Sequence, residues 1–72
     1  MRTVETVSIT LNGDPRDVAA GMSIVDLLEE LGLHPRMVVV EHNREILERG
    51  RFAGQQIKAG DVIELVHFVG GG

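Results

Sequence analysis

The chain has 72 residues, no cysteine and a formal net charge of −4. It is therefore one small domain without disulfides or thiolate metal sites, and its acidic balance argues against a phosphate-backbone partner such as nucleic acid. A chain this short buries only about 60% of the surface its unfolded form exposes, so stability rests on the 43% of residues that are apolar.

Val7, Ile9 and Leu11 alternate with Ser8 and Thr10, the period-two pattern of a strand with one buried face. Asn12-Gly13 suits the positive φ angles of a tight hairpin turn. The return strand, Asp14 to Val18, contains Pro15, which places it at an edge. In GMSIVDLLEELGLHP, Ser23 is a natural N-cap with Asp26 at the capping-box position, and Met22 and Leu27 are spaced for a hydrophobic staple. Ile24, Leu27, Leu28 and Leu31 share one helical face. Gly32 stands where a left-handed cap belongs, Leu33 can fold back on Leu28, and Pro35 stops the helix. A helix of about two turns is marginal alone and must lie on a sheet.

Met37 to Val40 reads as an interior strand, followed by a turn at Glu41-His42-Asn43-Arg44 and a short strand candidate at Glu45-Ile46-Leu47. Glu48 to Gln56 reads as a polar loop anchored by Phe52, and Ile57 to Asp61 as a turn with one buried side chain. Val62 to Val69 is the longest strand candidate, with Ile63 and Leu65 facing the helix and Glu64, Val66 and Phe68 facing out. This order predicts an α+β fold, a mixed sheet of four to five strands with one main helix. The first and last strands are parallel neighbours at its centre, the β-grasp (ubiquitin-like) arrangement. Residues 1–72 are expected to form a single domain, with 70–72 as a flexible glycine tail.

The residues offer little for side-chain catalysis. His34, His42 and His67 have no metal-ligand spacing. Glu41, Glu45 and Glu48 read as a solvated loop, and Asp14, Asp17, Asp26, Glu29 and Glu30 as solvated faces. No phosphate-binding glycine motif is present. No apolar run approaches the ~20 residues of a membrane span, and MRTVETVSIT has no signal-peptide core; the expected compartment is the cytoplasm.

VVVEHNREI in mid-chain and DVIELVHFVGGG at the end resemble the ThiS family, sulfur carriers of thiamin biosynthesis. The resemblance runs from about Val7 to Gly72 and is strongest at Glu41, Asn43, Glu45-Ile46, Gly60-Asp61 and VHFVGGG. It implies that the C-terminal carboxyl of Gly72 is adenylated and then converted to a thiocarboxylate. The enzyme implied is a ThiF-like adenylyltransferase related to ubiquitin-activating enzymes, which uses ATP and Mg²⁺. A further protein donates the sulfur, and a ThiG-like thiazole synthase receives it. The chain itself is then no enzyme and binds no cofactor. Gly70 and Gly71 permit backbone angles that other residues avoid, and three extended residues reach roughly 10 Å, enough to carry a carbonyl into an enclosed site. Val66 and Phe68, with Val39 beside them, form the expected partner-binding patch. The alternatives are a carrier for another pathway, like the small subunit of molybdopterin synthase, and a β-grasp interaction module with an inert tail.

Overall fold

A computed structural model describes residues 5–68. The strands β1 (Thr6–Leu11) and β2 (Asp14–Ala19) form a hairpin, α1 (Ile24–Glu30) follows, and β3 (Val38–His42), β4 (Glu45–Leu47) and β5 (Val62–His67) complete a five-stranded sheet in the order β2-β1-β5-β3-β4. β1 and β5 run parallel at its centre, and the other neighbours are antiparallel. The β-grasp expectation holds, with five strands.

The hairpin turn follows from its sequence. Asn12 and Gly13 both take positive φ, 49° and 86°, the type I′ geometry whose twist matches the flanking strands. Pro15 sits in β2, an outer strand, where its missing N–H interrupts no interior ladder.

The helix begins and ends as its residues dictate. Ser23 Oγ accepts from the Asp26 amide, and the Asp26 carboxylate accepts from the Ser23 amide. At the other end Gly32, at φ 72°, donates to the Glu29 carbonyl and Leu33 donates to the Leu28 carbonyl. These two bonds are the Schellman pair that satisfies orphan carbonyls. The loop after β4 completes the start of the helix: the Phe52 and Gln55 carbonyls accept from the Val25 and Ile24 amides. The Glu48–Gln56 segment thus has a structural duty that its polar composition conceals. It also contains a short 3₁₀ turn, Arg49–Arg51, that the sequence reading did not anticipate.

Between helix and sheet lie Ile9, Val18, Ile24, Leu27, Leu28, Val38, Val40, Leu47 and Ile63, with Phe52 and Ile57 closing the sides, all buried. Several boundaries differ from the sequence reading: β2 runs on to Ala19, and Met37 closes a 3₁₀ turn, Pro35–Met37, so β3 begins at Val38. β3 continues through Glu41 and His42, so the turn contracts to Asn43-Arg44, with φ 52° and 71°. β5 ends at His67; Phe68 still donates to the Met37 carbonyl at 2.8 Å, and Val69 lies outside the described residues.

Candidate functional site

The predicted site divides into a described part and an undescribed part. Gly70, Gly71 and Gly72 lie outside the described residues. The strand that leads to them does not, and its alternation is as expected. Ile63 is fully buried and Leu65 packs against the core, while Val66 and Phe68 are 56% and 49% exposed on the opposite face. Val39 is the direct cross-strand partner of Val66, and it is half-buried. Val39, Val66 and Phe68 therefore do come together, next to the point where the chain leaves the sheet.

The outer face carries more than those three. Glu41 and Glu64 face each other across β3 and β5, and Ile46 stands beside Glu41 on β4, 72% exposed. Two like charges directly opposite are unfavourable, so this pair adds nothing to the stability of the domain. Ile46 was missed because a three-residue strand flanked by turns leaves its inward side undetermined. Its pairing with Glu41, and that of Leu47 with Val40, settle the matter.

The stretches that carry the strongest sequence likeness meet elsewhere, at the opposite end of β5. Asp61 is buried, and its carboxylate accepts from the Lys58 amide at 2.9 Å, Asn43 Nδ2 at 3.2 Å and His42 Nε2 at 2.8 Å. Asn43 also donates its amide to the Val62 carbonyl and accepts from the Val62 amide through Oδ1, at 2.7 and 2.8 Å. Burial pushes the Asp61 pKa up, but the bonds from His42, Lys58 and Asn43 and the charge of His42 outweigh it and hold the carboxyl below its ordinary value. The cluster clamps the β3–β4 turn to the start of β5. It lies about 20 Å from the last residues of that strand, by strand rise, and its bonds fix the start of β5.

Two shallow depressions flank α1. The polar side chains of one include Ser23 and Asp26, already joined to each other's backbone in the cap. The other is lined mainly by Val25, Gly32, Leu33 and Pro35, with Glu29 and His34 at its rim. His34 Nδ1 accepts from the Arg36 amide. His67 is exposed at the strand end, and Glu45 and Glu48 are exposed. Among the described residues no three metal-ligating side chains gather, and no helix is long and apolar enough to cross a membrane.

A model of the ThiS family matches residues 9–72. The sulfur carrier protein ThiS of Bacillus subtilis is 46% identical over 50 residues, covering 69% of this chain and 76% of that protein. A thiazole synthase of Magnetococcus marinus is 41% identical over 66 residues, which cover 92% of this chain. The chain spans 20% of the length of that synthase and of a second one from Paramagnetospirillum magneticum. The crystal structure of the thiamine biosynthesis protein ThiS from Geobacter metallireducens superposes with a TM-score of 0.78 at 38% identity, over 92% of this chain and all of that one. The family match includes β5 and the three glycines beyond it as well as the core, and on that basis the chain belongs to the ThiS family.

Proposed function

We propose that this chain is a sulfur carrier for thiamine biosynthesis and that its reactive group is the carboxyl of Gly72. An α-carboxyl has a pKa near 3.5 and is ionised in the cell. A carboxylate resists nucleophiles and has no leaving group. Attack of the Gly72 carboxylate on the α-phosphate of ATP gives an acyl-adenylate and pyrophosphate. Sulfur delivered at the hydrosulfide level then attacks the carbonyl, AMP leaves, and with loss of the proton a thiocarboxylate remains. The absence of a Cβ at Gly72 keeps the line of attack on the carbonyl open. ATP and Mg²⁺ belong to a ThiF-like partner in this scheme.

The observation that carries the reading is the continuity of β5. Its start is clamped by Asp61 and its middle is packed in the core, while Val66 near its end and Phe68 just after it are exposed, one residue short of the glycines in sequence. A rigid strand aims the tail, and the patch of Val39, Val66 and Phe68 gives a partner a second contact that offsets the entropy lost when the tail is held. Relatives that are thiazole synthases with a region similar to this chain support a ThiG-like synthase as the acceptor, in preference to a molybdopterin-synthase large subunit.

Intact mass after incubation with the adenylyltransferase, ATP and a sulfur donor tests the proposal. A mass gain equal to one oxygen replaced by sulfur is expected. An unchanged mass, with the same enzyme converting another ThiS, contradicts it. Pull-down against thiazole synthase and against the molybdopterin-synthase large subunit separates the two pathways, and retention by the former is expected.

A further inference from the structure

The backbone of β5 is paired unequally on its two sides. In its antiparallel register with β3, the bond from the Phe68 amide to the Met37 carbonyl fixes the even-numbered residues as those bonded toward β3. The odd-numbered residues face the β1 side. There the ladder ends early: the β1–β5 register stops at Leu11 opposite Ile63, where the chain turns at Asn12-Gly13. The Asn12 amide donates to the Ile63 carbonyl, and Asn12 Oδ1 accepts from the Leu65 amide at 2.7 Å, a side chain standing in for the next strand carbonyl. Beyond that point the Leu65 carbonyl and both backbone groups of His67 have no backbone partner among the described residues. The flanking side chains Val66, His67 and Phe68 are exposed. β5 is thus an interior strand for its first half and a sheet edge for its second, and the edge leads into the tail.

We infer that this half-edge is a docking strip for an extended segment of the enzyme that adenylates Gly72, which adds to the sheet as a strand beside Leu65–His67. The inference rests on the carrier reading given above. A free row of alternating acceptor and donor groups is a template for a strand of another chain. Its position points to a partner that draws in the tail, and adenylation is the first step that requires this. The edge is continuous with the residues that must be drawn to the ATP site, so a strand laid along it holds the direction of the tail as well as the body of the domain. The side chains of that strand fall next to Val66 and Phe68, which joins the edge and the apolar patch into one surface.

The His67 amide gives a clean test because it is unbonded in the free fold. Proline at this position removes the donor and places its ring where the added strand would lie. The Val38–His67 pair makes no ladder bond, so the domain itself tolerates the change. His67→Ala keeps the amide and controls for the lost imidazole. Affinity of the full chain for the adenylyltransferase is measured by calorimetry, and amide exchange by NMR, free and bound. Expected are slowed exchange of the His67 amide on binding, an affinity loss of about three- to tenfold or more for His67→Pro, corresponding to one hydrogen bond, and little change for His67→Ala. Three results overturn the inference. A complex that forms with His67 exchange and His67→Pro affinity unchanged removes the docking strip and leaves the carrier reading intact. Protection of His67 that rises with the concentration of the chain alone assigns the edge to a second copy. Failure to bind any adenylyltransferase, with no sulfur gained, removes the carrier reading and this inference with it.

Discussion

Asp61 shows how much one side chain can hold. Its carboxylate gathers bonds from the Lys58 backbone, Asn43 and His42. Hydrogen bonds to a charged group are each worth roughly 1.5–3 kcal/mol, and Asp61→Asn should lose about that much stability at neutral pH. The sign of the pH effect follows from the lowered pKa. A carboxyl whose folded value lies below the ordinary 3.8 adds stability above that pH, and the contribution is lost as pH falls through the folded value. Urea unfolding of wild type and Asp61→Asn should therefore show a gap at pH 7 that narrows below about pH 4; a gap constant with pH contradicts the ionic account. Gly32 gives a second check. A Cβ there would meet no atom within 4 Å, yet φ is 72°, so Gly32→Ala should cost about 1 kcal/mol in thermal unfolding through backbone strain alone. The cap residues Ser23, Asp26 and Gly32 were legible in the sequence because caps are local. Asp61 was not: its partners lie up to nineteen residues away in the chain, and an aspartate after glycine reads as an ordinary turn.

The elements divide in the same way. β1, α1 and β5 announce themselves by period, since each buries one face against the same core. β3 was read two residues short because Glu41 and His42 are polar. They belong to the strand nonetheless, Glu41 on the open outer face and His42 tied to Asp61 at the strand end. The role of the Glu48–Gln56 loop was hidden because its carbonyls, and not its side chains, meet the start of α1. The contrast between the faces of β5 yields a prediction. Ile63→Ala opens a cavity in a fully buried position and should cost about 2–5 kcal/mol, enough to unfold much of a small domain. Phe68→Ala, half exposed, should change the unfolding midpoint little yet weaken binding to the adenylyltransferase or thiazole synthase by about tenfold. Equal loss of stability in both variants would show that Phe68 is structural and not part of a docking patch.

At the scale of the whole molecule, the fold is a mount. The Asp61 clamp holds one end of β5, the core holds its middle, and its outer half leaves Val66 exposed, the part that the proposed carrier would present to other proteins. The overall fold and the Val39, Val66 and Phe68 patch could be read from the sequence. The half-edge at His67 could not, because it depends on where β1 stops relative to β5. The lack of cysteine makes the central claim easy to test, since no thiol can hold added sulfur. After the sulfur-transfer reaction, cleavage at Lys58 releases the peptide from Ala59 to Gly72 for mass analysis. Sulfur in place of one oxygen on that peptide, lost when Gly72 is deleted from an otherwise folded chain, is the predicted result. An unmodified terminal peptide alongside full thiazole formation would contradict the account.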